Sequence, residues 1–152
     1  MRESNQLVRL SQRAGGGAGV ALRVLLVDWD PEYGERLKDV LRCQAGGEFD
    51  LHQVSDLATA INHVAHGDAA DVILLDLNLP DSQGLDTAVM MLQMAEDIPI
   101  IVLCRPENED LAWQATRFGI QGVVSHDATT GEALVWALHH AVEQYLLRSS
   151  LE

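Results

Sequence analysis

The chain has 152 residues, of which 47% are hydrophobic, and its formal net charge at pH 7 is −13. This length accommodates one domain with a real core and is too short for two ordinary domains. The apolar content excludes a disordered chain, and the acidic balance argues against direct nucleic-acid binding, which needs clustered lysine and arginine. No apolar run approaches membrane-spanning length, so we expect a soluble, cytoplasmic protein.

The two ends of the chain differ in character from its middle. Residues 1–20 are polar and close with a glycine-rich run, which predicts a flexible N-terminal tail. Residues 21–148 are expected to form the folded domain, and residues 149–152 a C-terminal tail or cloning remnant. Cys43 and Cys104 fit neither a metal-binding spacing nor a disulfide framework, so we expect reduced thiols.

Apolar runs and helical patterns alternate between these ends. The runs predict strands at 22–27, 49–54, 72–75, 99–103 and 121–124, and the segments after them predict helices at about 31–45, 56–66, 84–94, 107–118 and 130–147. Asp30 and Ser55 are predicted helix N-caps, and Thr129 with Glu132 a capping box. The alternation predicts an α/β fold, a flavodoxin-like doubly wound parallel sheet of strand order 2-1-3-4-5.

Aspartates follow two of the predicted strands. Asp28 and Asp30 come after the first strand, and Asp76 ends the third strand. These strand ends are neighbours in the predicted order, so the carboxylates would repel one another unless a cation joined them. Because hard oxygen ligands suit Mg²⁺, the sequence predicts an acidic pocket for a metal and a phosphoryl group. The alternative is that Asp76 only caps a strand or turn.

A resemblance to a known family rests on four segments taken in order and spacing. They are similar to the receiver domain of two-component response regulators over about residues 21–145, and they read LLVDWDP, DVILLDLNLPDSQGLD, PIIVL and FGIQGVV. The resemblance implies that Asp76 accepts a phosphoryl group from a histidine kinase or phosphotransfer protein. It implies that Asp28, Asp76 and the backbone carbonyl of Asn78 hold Mg²⁺, with Asp30 as a further ligand unless it serves only as the helix cap.

The chain departs from the family pattern at three positions that bear on the chemistry. Trp29 replaces a second acidic metal ligand, Cys104 replaces a threonine or serine, and His126 replaces a lysine. Lys38 is the only lysine in the sequence and falls on the first predicted helix. Arg105 could supply a cation to the pocket instead, but we interpret it as a solvated loop arginine. The resemblance therefore implies an atypical receiver with weak Mg²⁺ binding and slow phosphorylation.

The resemblance also implies a signalling surface running from the fourth helix through the fifth strand to the fifth helix. An output domain, a partner protein or a second copy of the chain would read this surface. Trp113, Trp136 and Tyr145 could anchor such a partner, although core packing is the favoured interpretation of each one singly. Val123 takes the family's aromatic switch position.

Three classes of function stay open. The first is a phosphorylatable receiver, with no enzymatic activity beyond self-catalysed phosphoryl transfer to Asp76. The second is a pseudo-receiver, a phosphorylation-independent module for protein interaction or dimerisation. The third is a hydrolase of the haloacid dehalogenase type, suggested by Asp28 and Asp30 after a strand. Two observations count against this last class. Such enzymes need a lysine near the phosphate, which this chain does not offer, and Asp76 would have no role.

Overall fold

The computed structural model of the chain describes residues 21–45, 47–66, 70–126 and 130–148, together with the backbone of 149–150. The tail predicted at residues 1–20 lies outside this part of the chain. The strands of the central sheet are β1 (Leu22–Val27), β2 (Phe49–Val54), β3 (Val72–Asp76), β4 (Ile100–Cys104) and β5 (Gly122–Ser125). All neighbours are parallel and the order is β2-β1-β3-β4-β5, which confirms the predicted topology.

Helices connect the strands and cover both faces of the sheet. They are α1 (Pro31–Ala45), α2 (Leu57–Ala65), α3 (Leu85–Met94), α4 (Glu109–Ala115) and α5 (Gly131–Ser150). The helix predicted at 107–118 is α-helical only in its middle, because 3-10 turns at Pro106–Asn108 and Thr116–Phe118 flank α4. Gly119, with φ of 118°, ends this segment as predicted.

The core is divided by the sheet into two layers. Alternate residues of β3 face opposite sides: Ile73 and Leu75 pack against the layer of α2, α3 and α4, while Val72 and Leu74 pack against the layer of α1 and α5. A strand buried on both faces needs apolar side chains at every position, which explains its unalternated sequence. In contrast, β2 forms an edge and exposes alternate polar residues.

The helix caps agree only in part with the sequence. Asp30 caps α1 as predicted, because its Oδ1 accepts a hydrogen bond from the Glu32 backbone N–H at 3.0 Å. The prediction of Ser55 as the cap of α2 is wrong: Asp56 takes this role and accepts from the Thr59 backbone N–H at 2.7 Å. Thr129 lies outside the described residues, and Thr130 Oγ1 accepts from the Ala133 N–H at 3.1 Å.

The segment between β3 and α3, for which no strand was predicted, forms a small hairpin. Asn78–Leu79 pairs with Ser82–Gln83 in antiparallel register. Gly84 closes the hairpin with φ of 78°, a conformation that favours glycine, and its N–H donates to the Leu77 carbonyl at 2.8 Å. The hairpin therefore gives a defined shape to the segment that follows Asp76.

The exposed surface corrects one prediction about the aromatic residues. Trp113 on α4 is 58% exposed and Trp136 on α5 is 65% exposed, so core packing is the wrong interpretation for both. Tyr145 is partly buried and packs against the layer of α1 and α5. Among the residues that the structure describes, no helix is both long and apolar enough to cross a membrane.

Candidate functional site

Two buried aspartates meet at the carboxyl edge of the sheet. Asp28 follows β1 and Asp76 ends β3, and these strands are adjacent, with Val27 in register with Leu75. Both side chains are fully buried. Together with His126 they offer ligand atoms that all lie within 4.8 Å of one another. The structure therefore places the side chains of residues 28 and 76 in one acidic pocket, together with that of His126.

The carboxylate of Asp76 accepts two hydrogen bonds from the protein. The Asn78 backbone N–H donates to Oδ1 at 3.1 Å, and Arg105 Nη2 donates to Oδ2 at 3.0 Å. Burial raises the pKa of Asp76 above its ordinary value, the bonds from Arg105 and Asn78 oppose this rise, and the charge of Asp28 adds to it. The net effect is a carboxyl group that ionises less readily than an exposed aspartate.

Arg105 enters the pocket, so its interpretation as a solvated loop arginine is wrong. Its side chain is only 17% exposed, and Nη2 lies 3.0 Å from Asp76 Oδ2 and 3.9 Å from Asp28 Oδ2. The local sequence orients its backbone: Pro106 favours an extended residue before it, and Arg105 has φ of −110° and ψ of 155°. Asn108 Oδ1 then accepts from the Arg105 N–H at 2.8 Å. Attraction to two buried carboxylates outweighs hydration of the guanidinium.

His126 takes the place beside Asp28 rather than beside Asp76. Its Nε2 lies 3.0 Å from Asp28 Oδ2 and 3.1 Å from Arg105 Nη2. An imidazole lone pair would repel a carboxylate at this distance, so we assign a proton to Nε2, which donates to Asp28. The 3.1 Å approach of Arg105 Nη2 to the same nitrogen is then a contact between two donors and not a hydrogen bond. The His126 backbone N–H bonds the Cys104 carbonyl at 2.8 Å, which continues the β4–β5 pairing up to the pocket.

Asp28 is held by contacts that the sequence did not predict. Its Oδ1 accepts from the Asp30 backbone N–H at 2.9 Å. Gln53 Nε2 donates to the backbone carbonyls of both Asp28 and Asp30, each at 2.8 Å. Gly34 makes room for this contact, because a Cβ at that position would overlap Gln53 Oε1. A glycine in the first turns of α1 was the only signal for this arrangement in the sequence.

The segment after Asp76 is tied to a neighbouring helix through a second unpredicted contact. Asp81 Oδ1 accepts from the Leu57 N–H at 2.8 Å, and its Oδ2 accepts from the Ala58 N–H at 2.9 Å. These are two of the free N–H groups at the start of α2, where a negative charge is also favoured by the helix dipole. Asp81 thereby fixes the hairpin that follows Asp76.

The other predicted site residues lie at the rim. The Cys104 thiol donates to the Arg105 carbonyl at 3.6 Å, and burial raises the pKa of this thiol, with smaller contributions from Glu109 and Glu107. Trp29 is 48% exposed and lines an open groove. Cys104 and Trp29 are thus sequence neighbours of the pocket residues Arg105 and Asp28. The other two predicted ligands, Asp30 and Asn78, bond to the site through their backbone N–H groups.

The pocket in this arrangement does not fit Mg²⁺. Two carboxylates and an imidazole are chemically able to bind a divalent ion. However, each of the four carboxylate oxygens of Asp28 and Asp76 already faces a nitrogen of the protein, at 2.9 to 3.1 Å. The Arg105 guanidinium lies against both carboxylates, so a metal ion could bridge them only after this side chain moved away.

Comparison with known proteins identifies the family of this chain. The sequence model of the response regulator receiver domain matches residues 24–137. The glycerol metabolism activator of Pseudomonas putida is 25% identical over 124 residues, which cover 82% of this chain and 53% of that protein. The swarming motility regulation protein RssB of Serratia marcescens is 38% identical over 82 residues, 54% of this chain and 36% of that protein. The chain spans 16% to 53% of the length of the curated relatives it matches.

A solved structure shows the same fold. The response regulator receiver domain protein from Clostridium thermocellum superposes with a TM-score of 0.69 at 17% identity, covering 87% of this chain and 98% of that one. The family match argues against the hydrolase alternative, since receiver domains are signalling phosphoacceptors that interact with histidine kinases or phosphotransfer proteins and with output domains. This chain belongs to the response regulator receiver domain family of two-component systems.

Proposed function

We propose that this domain takes part in phosphorelay signalling with Asp76 as its phosphoacceptor, and that its atypical pocket slows phosphorylation. The observation that carries the proposal is the buried carboxylate of Asp76 at the end of β3, beside Asp28 and next to two nitrogen donors. The donor would be a histidine kinase or phosphotransfer protein. The cytoplasmic location and the division of the chain into tails and a folded domain stay predictions.

The charges around Asp76 explain why the reaction would be slow rather than absent. A carboxylate oxygen that accepts a charged hydrogen bond is a weaker nucleophile, and Asp76 Oδ2 accepts such a bond from Arg105. Phosphoryl transfer depends on cationic donors aimed at the oxygens of the transferred group. Arg105 and His126 can supply such donors, but both are engaged with Asp76 and Asp28. Loss of one well-aimed donor costs about 3 kcal/mol of barrier, or roughly a hundredfold in rate.

Intact mass spectrometry with a small phosphodonor and Mg²⁺ tests the proposal. We expect the wild type to gain one phosphoryl group and Asp76→Ala to gain none. Asp86→Ala is the matched control, because it removes an exposed aspartate from the first turn of α3. Labelling of Asp76→Ala, or no labelling of the wild type at any donor concentration, would contradict the proposal. Trp29→Asp restores an acidic side chain beside the pocket, and we expect it to bind Mg²⁺ more tightly than the wild type.

A phosphorylation-independent pseudo-receiver is the second candidate. It is favoured by the protein nitrogens that already face the carboxylate oxygens of Asp28 and Asp76. Such a module would respond to a partner or to a second copy of the chain rather than to phosphate. If beryllofluoride, a phosphoryl mimic, bound at Asp76 and shifted the oligomeric state, this candidate would be eliminated.

For either candidate we propose that the partner contacts the face of α4, β5 and α5. Trp113 and Trp136 are both more than half exposed on these helices, as is Phe118 at the end of the 3-10 turn that follows α4. Large aromatic side chains are enriched in interfaces, which supports this choice of surface. Sedimentation of the wild type and of Trp113→Ala and Trp136→Ala variants distinguishes a homodimer on this face from a hetero-partner. A homodimer would weaken in both variants, and a hetero-partner would leave the wild type monomeric.

A further inference from the structure

The Arg105 guanidinium occupies the position that a cation bridging Asp28 and Asp76 would need. Its Nη2 lies 3.0 Å from Asp76 Oδ2 and 3.9 Å from Asp28 Oδ2. Two fully buried carboxylates are unfavourable without a neighbouring positive charge, and at these distances the guanidinium supplies it from within the chain. A divalent ion between the same two oxygens would overlap Arg105 and be repelled by it.

The remaining contacts complete an arrangement that needs no metal ion. His126 Nε2 faces Asp28 Oδ2, and the second oxygen of each aspartate accepts a backbone N–H. Both carboxylates therefore have their hydrogen-bonding needs met by the protein. Arg105 donates only one of these four hydrogen bonds, to Asp76 Oδ2, so the other three do not depend on its side chain.

Arg105 is also positioned to leave. Its backbone is fixed by Asn108 and by the following Pro106, but its side chain keeps 17% of its surface exposed. A long side chain at the solvent boundary can exchange a buried ion pair for hydration without disturbing the core. The pocket can therefore exist with the guanidinium in place or with it turned outward.

We propose that Arg105 is the internal cation of this pocket and competes with divalent metal ions for Asp28 and Asp76. A metal ion enters when Arg105 turns outward, and Arg105 returns when the metal ion leaves. The inference rests on the proposed function, because it concerns the same pocket, but it does not require Asp76 to be phosphorylated. Two features would then weaken metal binding in this domain. Arg105 competes for the carboxylates, and Trp29 stands where the family has a second acidic ligand.

Calorimetric titration of the whole chain with Mg²⁺ and with Mn²⁺, in the absence of phosphodonor, tests the competition. We expect Arg105→Ala and Arg105→Gln to bind these ions about tenfold more tightly than the wild type or better, because a unit charge is removed within about 4 Å of the ligands. Arg42→Ala is the matched control, since it removes an arginine from the surface of α1. It should bind metal as the wild type does.

Thermal unfolding gives a second readout that also controls for folding. Metal should raise the unfolding temperature of both Arg105 variants more than that of the wild type, because at equal concentration a tighter ligand stabilises the folded state more. Metal affinity in both variants equal to or below that of the wild type would overturn the proposal. Loss of folding in both variants at every metal concentration would also overturn it, since Arg105 would then be purely structural. Failure of phosphorylation at Asp76 would leave these results unchanged and would contradict only the proposed function.

Discussion

The imidazole ring of His126 lies face to face with the phenol ring of Tyr33, with centroids 3.7 Å apart and 12° between the planes. Tyr33 lies in the first turn of α1 and is almost fully buried, and the Arg36 guanidinium lies 5.4 Å from the centroid of its ring. The stack fixes the plane of the imidazole and so directs Nε2 toward Asp28. A side chain from the first helix thereby orients a pocket residue that follows the last strand.

We expect Tyr33→Leu to be less stable than Tyr33→Phe by about 1 kcal/mol, which is the typical value of a ring pair beyond its buried area. The phenylalanine variant keeps the ring that contacts His126, and the leucine variant keeps only apolar volume. Denaturant unfolding of both variants measures the difference. Equal stabilities would show that the stacking contributes nothing.

A double-mutant cycle on Gly34 and Gln53 tests the contact that holds the β1–α1 connection. We expect Gln53→Ala to cost about 2 kcal/mol, since two hydrogen bonds to carbonyls are lost at about 1 kcal/mol each. Gly34→Ala should also destabilise, because its Cβ displaces the Gln53 side chain.

In the Gln53→Ala background the same Gly34→Ala change should be neutral or stabilising by up to about 1 kcal/mol, because alanine favours the helix. Denaturant unfolding of the four proteins gives the coupling energy directly. Additive effects of the two substitutions would contradict this account of Gly34.

Removal of the Asp81 carboxylate should loosen the hairpin that follows Asp76. We expect Asp81→Ala to lower the free energy of unfolding by about 1 kcal/mol, as for a lost helix cap, because the Leu57 and Ala58 N–H groups lose their acceptor. Hydrogen exchange at these two amides should accelerate. The exposed Glu96 provides a control of equal charge, and Glu96→Ala should change neither quantity.

The raised pKa of Asp76 predicts a pH dependence of stability. Because burial raises the folded-state pKa above the unfolded-state value, protonated Asp76 favours the folded state. This contribution is fully present below the unfolded-state pKa and is lost as the pH rises through the folded-state pKa. Asp76→Asn cannot ionise, so its stability relative to the wild type should increase as the pH rises.

Denaturant unfolding of the wild type and Asp76→Asn from about pH 3 to pH 7 measures this difference. Asp86→Asn, which removes an exposed aspartate, controls for the general change in net charge. A wild type that gains stability over Asp76→Asn with rising pH would mean that the Arg105 bond outweighs the effect of burial.

Much of this domain follows from local sequence. The unalternated apolar run of β3 predicts burial on both faces, and Asp76 after it predicts a carboxylate at the carboxyl edge of the sheet. The same reasoning places Asp28 beside it, since both depend only on strand period and strand order. These features follow from short apolar patterns together with the strand order that an alternating α/β chain predicts.

The occupancy of the pocket was decided by tertiary structure alone. Whether Arg105 faces solvent or Asp76 depends on the electrostatic field of two carboxylates that lie 29 and 77 residues away in the chain, and no local pattern reports that field. Two further contacts could not be predicted for the same reason. The stacking of Tyr33 on His126 and the packing of the Gln53 side chain against Gly34 each join segments that are far apart in the sequence. The sequence by itself determined that Asp28 and Asp76 converge, because strand order places both at the same edge of the sheet. Only the tertiary structure decided that Arg105 is the cation that meets them, because the pairing of charges depends on their distance in space.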